Sequence, residues 1–164
     1  EGRVGGSLSL DGARLLFAVV DDEPHIFVGT VRANLLLARP DASDKDVAGA
    51  LVQAGLGRWL AALPDGLDTE IGDGQRGVSG GERARLGIAR AVLSQRPVVL
   101  LDEPVAHLDT PTARAVLDDL HSATAGRTVI LVAHQAVGTA RADRVVKLTN
   151  YYSSSEHVTT GWMS

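Results

Sequence analysis

The sequence predicts an α/β fold in which a parallel sheet is flanked by helices. Short apolar runs at residues 98–101 and 128–133 are typical of buried strands. They alternate with helical patterns at residues 79–96 and 111–123. Strands that alternate with helices form parallel sheets through right-handed crossovers. Residues 144–148 are predicted as a third strand of this sheet.

The first half of the chain is predicted as two short strands followed by a mostly helical block. Residues 7–10 and 15–20 are predicted as strands, with the turn-like Asp-Gly-Ala-Arg between them. Residues 30–63 have a helical pattern, in which Ser43 precedes acidic residues and predicts a capped helix start. The glycine-rich stretch IGDGQRG follows and is predicted to be a loop.

Composition limits the classes of function. With 164 residues and 45% hydrophobic content, the chain can form one domain with a real core. Its net charge of −4 argues against a broad basic surface, so we expect no nucleic-acid partner. It contains no cysteine, and it has no apolar run of membrane-helix length, so this segment is not expected to insert into a membrane.

The sequence at each end of the chain differs from that of a complete, regularly folded domain. The sequence opens on EGRVGG, without an initiator Met or a signal-peptide pattern, and we expect it to be part of a longer protein. Residues 150–164 contain a serine run and continue no periodic pattern, so they are expected to be a flexible or foreign tail.

Polar residues follow two of the predicted strands at their carboxyl ends. One apolar run leads into Asp102 and Glu103, and the next leads into His134. In open parallel sheets, ligands bind beyond this edge. Asp102 is a candidate Mg²⁺ ligand, Glu103 a candidate base for water attack on a γ-phosphate, and His134 a candidate phosphate contact. Alternatively, the acidic pair marks a strand end before a turn, and the histidine is structural.

The stretch Ser79-Gly80-Gly81-Glu82 opens the helix predicted over residues 79–96. Its S-x-x-E spacing is that of a capping box, and free N–H groups at such a helix start also favour an anion. Each glycine costs roughly 1 kcal/mol of helix propensity relative to alanine, which predicts a close approach to the backbone there. The chain contains no Gly-Lys pair and therefore no P-loop of the usual form.

Four ordered motifs resemble those of the ABC ATPases. VSGGE resembles their signature, VVLLDEP their Walker B strand with the catalytic glutamate, AHLD their D-loop with Asp109, and VAH their switch-histidine loop. The resemblance covers about residues 7–149. It implies a P-loop NTPase-like sheet with a helical subdomain at about residues 30–95. It also implies that residues 1–149 are a partial domain, with the family's Walker A part upstream of Glu1.

The resemblance is narrower to the exporters of this family. EPHIFVGTVRANLLLARPDAS resembles their Q-loop and the start of their helical subdomain, with Asp22 where glutamine is usual. DNA-repair and structural-maintenance ATPases also carry SGGE, but with long coiled coils, and no sustained heptads occur here. DDEPHIF, RWLAALPDGLDTEIG, SGGERARLGIAR and DEPVAHLD are similar to one subunit of the heterodimeric thiol-reductant exporter linked to cytochrome bd assembly.

The resemblance implies ATP and Mg²⁺ as cofactors and hydrolysis of ATP coupled to transport. The partners would be a second nucleotide-binding domain, in a heterodimer, and the transmembrane domain of an exporter at the cytoplasmic face of a bacterial plasma membrane. Catalytic roles would fall to Glu103 and His134, and Mg²⁺ contacts to Asp102 and Asp22. Nucleotide contacts across the dimer would come from Ser79, Gly80, Gly81, Glu82 and Asp109.

Two other functions stay open. The chain could be a non-catalytic partner or regulatory module that completes another subunit's ATP site, or a truncated fragment without activity of its own. Whether GxxxxGKS/T lies upstream in frame discriminates between them and the enzyme. Without such a loop, we expect the isolated chain to be inactive.

Overall fold

The computed structural model describes residues 9–133, 142–149 and 157–163. The elements of its first half, in chain order, are α1 (Leu10–Leu16), β1 (Phe17–Val20), β2 (Gly29–Thr30), α2 (Val31–Leu36), α3 (Asp44–Gln53), α4 (Gly57–Ala61) and β3 (Glu70–Ile71). The second half contains α5 (Gly80–Leu93), β4 (Val98–Asp102), α6 (Thr110–Ala123), β5 (Thr128–Ala133), β6 (Arg144–Thr149) and β7 (His157–Met163).

The main sheet has five strands in the order β1-β4-β5-β7-β6. The three strands β1, β4 and β5 are parallel, with Leu101 in register with Val20 on one side and Leu131 on the other. All three of these side chains are buried. The predicted α/β class, a parallel sheet flanked by helices, is therefore confirmed.

A flexible tail was expected over residues 150–164, and within its described part, residues 157–163, strand β7 corrects that expectation. It lies between β5 and β6 and pairs antiparallel with both. Strand β6 was predicted from its sequence, but among the described strands it pairs with β7 alone. Because backbone N–H and C=O groups at a strand edge need partners, the last segment of the chain pairs with both neighbours. Its short, aperiodic sequence carries no signal of this pairing.

The start of the chain also differs from the prediction. Residues 10–16 form helix α1, and β1 begins only at residue 17. The side chain of Ser9 caps the helix by accepting a hydrogen bond from the N–H of Gly12 at 3.1 Å, so local capping explains the helix. No residue of α1 is buried, so no buried apolar face marks this helix in the sequence. Residues 7 and 8 lie outside the described residues.

The helical block packs on α5 to form the second part of the core. Ser43 caps α3 as predicted, in a capping box that Asp46 completes. Leu35, Leu51 and Leu86 are fully buried, one each from α2, α3 and α5. Among the residues that the structure describes, no helix combines the length and apolar character needed to cross a bilayer.

Candidate functional site

The acidic candidates lie at the carboxyl edge of the sheet. Asp102 is the last residue of β4, and Glu103 follows it directly. Asp22 comes two residues after β1 ends at Val20, and Val20 is in register with Leu101 of β4. Because β1 and β4 are parallel neighbours, these carboxylates belong to the same edge of the sheet. Asp22 and Asp102 are exposed, and Glu103 is half-buried.

Glu103 has a backbone conformation that is rare outside glycine. Its φ is +47°, and a non-glycine residue in such a conformation costs about 1–3 kcal/mol. Two hydrogen bonds maintain it. The N–H of Glu103 donates to the carbonyl oxygen of Val132 at 3.0 Å, and its own carbonyl accepts from the N–H of Ala106 at 3.0 Å. Strained residues of this kind cluster at functional sites, which supports Glu103 as a candidate.

The predicted capping box at the start of α5 is present. The hydroxyl of Ser79 accepts a hydrogen bond from the N–H of Glu82 at 3.3 Å, and the Glu82 carboxylate accepts one from the N–H of Ser79 at 2.8 Å. The close approach expected at the glycine pair is also found. A Cβ on Gly80 would lie 3.2 Å from Leu108, and one on Gly81 would lie 3.1 Å from Thr112. The chain's own loop and α6 therefore occupy one side of this backbone.

Asp109 caps α6 beside the start of α5. Its carboxylate accepts hydrogen bonds from the Thr112 hydroxyl at 2.7 Å and the Thr112 N–H at 3.1 Å. These bonds hold the pKa of the Asp109 carboxyl below its usual value. The two helix starts line one open groove, and N–H groups and helix dipoles at such places favour anions. The lining includes five predicted site residues, namely Ser79, Gly80, Gly81, Glu82 and Asp109.

We expect Asp109→Asn to remove a part of the acid sensitivity of folding. A lowered carboxyl pKa stabilises the fold fully above the unfolded pKa, and this stabilisation is lost as pH falls through the folded value. Asparagine still caps the helix but does not ionise. Between pH 6 and pH 3 in urea unfolding, the variant should thus lose less free energy of unfolding than the wild type. Asp41→Asn, at an exposed aspartate before α3, is the control. Equal losses in Asp109→Asn and the wild type would contradict the assignment.

Asp22 lines a second groove, which adjoins the first. One oxygen of Asp22 accepts from the N–H of Glu23 at 2.8 Å, and the other lies 3.4 Å from Nε2 of His107. Both grooves include Gly80, His107 and Leu108. The structure thus brings Asp22 next to the start of α5. Asp102 and Glu103 are among the lining of neither groove and stay at the end of β4.

Three basic residues that line the two grooves were not predicted from the sequence. One predicted site residue lies outside the described residues. Arg83, Arg85 and His107 line the grooves without having been assigned a role. Arg83 and Arg85 follow the capping box within one turn, and His107 lies inside AHLD, so the helix start and the motif could have indicated them. His134 directly follows β5 but lies outside the described residues.

The carboxylates fit the way in which Mg²⁺ binds beside a nucleotide. Within the part of the chain that the structure describes, no three or more His, Cys, Asp or Glu side chains form a group that could hold a metal ion. Mg²⁺ beside phosphates needs no such cage, because it keeps several waters and takes one or two carboxylates besides phosphate oxygens. Asp102 and Asp22, both exposed at one sheet edge, match that mode.

Comparison with known proteins identifies the family. The model of the ABC transporter family matches residues 9–106. P-glycoprotein 14 of Caenorhabditis elegans is 37% identical over 152 residues, which are 87% of this chain and 12% of that protein. The mycobactin import ATP-binding/permease protein IrtB of Mycolicibacterium thermoresistibile is 40% identical over 140 residues, 85% of this chain and 24% of that protein.

A solved structure shows the same relationship in three dimensions. It is that of a bacterial Atm1-family ABC exporter with ATP bound, with a TM-score of 0.67 and 33% identity over 81% of this chain and 23% of that one. The chain spans between 9% and 25% of the length of the curated relatives that it matches. The family match covers more than half of the chain. The chain therefore belongs to the ABC transporter family and is an ATP-binding domain of the exporter type.

Proposed function

We propose that this chain contributes to ATP hydrolysis that drives transport by an ABC exporter. The observation that carries this proposal is the groove formed where α5 and α6 begin. Its lining includes Ser79, Gly80, Gly81, Glu82 and Asp109, and the adjoining groove includes Asp22. The start of α5 suits a phosphate better than an apolar ligand, because the N–H groups of Gly80 and Gly81 have no partner within the helix and the cap uses only that of Glu82.

In the chain's own site, the carboxylates divide into two roles. Asp102 and Asp22 would hold Mg²⁺, which neutralises charge on the phosphates when it is bound. Glu103 would accept a proton from the attacking water. Its positive-φ backbone conformation would fix the position of its Cα and Cβ atoms. His134, directly after β5, would contact the γ-phosphate. Aspartate in place of the usual Q-loop glutamine adds negative charge beside the phosphates.

In the site across the dimer, the groove at the start of α5 would bind a phosphate held by a second nucleotide-binding domain. Ser79, Gly80 and Gly81 would act there together with Glu82 and Asp109. The further partner would be the transmembrane domain of the exporter, which would hold the assembly at the cytoplasmic face of a bacterial plasma membrane. A thiol such as cysteine or glutathione is our proposed substrate, and a heterodimer our proposed assembly, from the motif similarity to thiol-reductant exporters.

The experiment is calorimetric titration of the isolated 164-residue chain with Mg-ATP. We expect no binding in the micromolar range and no hydrolysis, because the sequence has no Gly-Lys loop to hold the β- and γ-phosphates. A clear micromolar isotherm would contradict this. The same titration is then repeated, for comparison, on a chain that is extended at its N-terminus by the upstream coding sequence in frame. If that sequence adds GxxxxGKS/T, we expect nucleotide binding to return.

A second candidate is a non-catalytic module that completes another subunit's site; it would gain support if no GxxxxGKS/T lay in frame upstream of this sequence. Its test adds the chain to a P-loop-bearing partner domain and measures ATP turnover. Stimulation by the wild-type chain and by Glu103→Gln alike would support this candidate. Stimulation that depends on Glu103 would support the enzyme instead.

A further inference from the structure

Strand β7 runs against both of its neighbours in the interior of the main sheet. It is antiparallel to β5 on one side and to β6 on the other, so β5 and β6 are parallel to each other. Strands β1, β4 and β5 are parallel as well. An antiparallel strand in an otherwise parallel sheet typically lies at an edge. The position between β5 and β6 therefore suits a parallel strand, and β7 fills it in the opposite direction.

The sequence of β7 differs from that of the other interior strands. Strands β4 and β5 contain VVLLD and TVILVA, whereas β7 contains HVTTGWM. Interior strands of parallel sheets are nearly continuous apolar runs. Gly161 of β7 is in register with Leu131 of β5 and Val145 of β6. A glycine within a strand weakens it, because it has no side chain to pack and loses more entropy on folding. Strand β7 is thus a poor match for an interior position.

The apolar residues of β6 are not covered by a helix as those of the neighbouring strands are. Val145 is 44% exposed and Leu148 is 54% exposed, whereas Leu101 of β4 and Leu131 of β5 are buried. Parallel sheets normally have helices on both faces, because each strand is joined to the next by a crossover helix. Among the described residues, β7 brings no helix with it. A strand that is followed by its own helix would supply the missing cover.

A parallel strand in this position would end at the edge of the sheet where the acidic residues lie. Asp102 ends β4 and is in register with Val132 of β5. Glycine-rich phosphate loops follow the carboxyl end of a strand and open a helix. Strand β7 cannot present such a loop there. Its residue Thr159 is in register with Ala133, the last residue of β5, so β7 begins near this edge and runs away from it.

We propose that the position between β5 and β6 is an acceptor site for a strand that precedes Glu1 in the same polypeptide, and that this strand displaces β7. The occupant is an aliphatic strand that runs parallel to β5 and leads into a glycine-rich loop and a helix. The exchange leaves the backbone groups of β5 and β6 paired, because the new strand takes over both ladders. A tethered strand is favoured over one from a separate chain, since its effective concentration is in the millimolar range.

The consequence for nucleotide binding rests on the proposed function. While β7 fills the acceptor site, no phosphate loop can follow a strand next to β5, so the chain's own ATP site stays incomplete. Displacement of β7 by the parallel strand would bring that loop to the edge that carries Asp102. Strand β7 would then act as an autoinhibitory segment, which must leave before Mg-ATP binds.

The test is disulfide formation in a chain with Val132→Cys and Thr160→Cys, because the sequence contains no other cysteine. The two residues are in register across β5 and β7. Opposed residues of antiparallel strands have the Cα separation that a disulfide needs. We expect the bond to form readily in the 164-residue chain. In a chain extended by its upstream coding sequence in frame, we expect formation about tenfold slower or less, because β7 has left β5. Thr160→Cys alone controls for intermolecular oxidation.

Deletion of residues 157–164 is a second measurement that needs no cysteine. In the 164-residue chain, it should lower the midpoint of urea unfolding, because β6 loses its described partner. In the extended chain, it should leave the midpoint unchanged, because the upstream strand pairs with β5 and β6. Leu101→Ala is the control, since this buried residue of β4 should lower the midpoint in both chains.

The outcomes separate the inference from the proposed function. Equal rates of disulfide formation in the two chains would overturn the inference, even if the extended chain bound Mg-ATP. Absence of the bond in the shorter chain, or an upstream sequence without an aliphatic strand and a glycine-rich loop, would overturn it as well. Slow bond formation in the extended chain without binding of Mg-ATP would support the strand exchange. In that case only the proposed function would be wrong.

Discussion

Deletion of residues 157–164 is expected to destabilise the fold by on the order of 5 kcal/mol, a large share of the stability of a domain of this size. Strand β7 is paired with five residues of β5 and six residues of β6. Without it, β6 loses the only partner that it has among the described strands, and β5 becomes an edge. Chemical unfolding followed by circular dichroism would measure the effect.

A point substitution tests the same strand without shortening the chain. Thr160 is in register with Val132 of β5 and Val146 of β6 and lies inside both ladders. Thr160→Pro should reproduce a large part of the loss, because proline removes the backbone donor between two neighbouring strands. Thr160→Val keeps that donor and is the control. Equal stability of the truncated and complete chains would show that β7 does not contribute to the sheet.

Glu103→Gln is expected to reduce ATP turnover by roughly 10²–10⁴-fold in an assembled transporter that contains this chain, with ATP still bound. The amide cannot take up a proton from water, while its size and backbone conformation stay close to those of glutamate. The loss corresponds to about 3–5 kcal/mol in the activation free energy. Single-turnover hydrolysis and nucleotide retention, measured on the same preparation, would separate chemistry from binding.

Glu70→Gln is the matched control for this variant, because Glu70 is an exposed glutamate on β3. It should leave turnover unchanged. Normal hydrolysis by Glu103→Gln would show that another group accepts the proton. Loss of ATP binding together with turnover would instead show that the substitution disturbs the backbone held at φ +47°.

Local patterns account for the local structure that was predicted correctly around the candidate site. Ser79 and Glu82 form the expected capping box, since both partners lie within one turn of the same helix. Asp102 ends an apolar strand as the run before it indicates. Such features depend on residues that are near one another in sequence, so composition and spacing are enough to find them.

Contacts between distant segments were not predictable in this way. The pairing of Asp22 with His107 joins residues 85 positions apart, and Arg83 meets Glu23 across 60 positions. A Cβ on Gly87 would clash with Pro24, but the sequence does not indicate this, because a glycine within a helical pattern does not show which residue packs against it. Each of these contacts depends on how α5 packs against the loop after β1.

By itself the sequence determined the α/β class, the capped start of α5, the acidic end of β4 and the family to which these motifs belong. The tertiary structure decided that residues 157–163 enter the sheet, that residues 10–16 are helical, and that α5 holds the segment with Asp22. The physical reason is the separation along the chain between the residues that determine each feature. Caps and apolar runs are local properties of the chain, whereas strand partners and close packing arise only when distant segments compete for the same edge or surface.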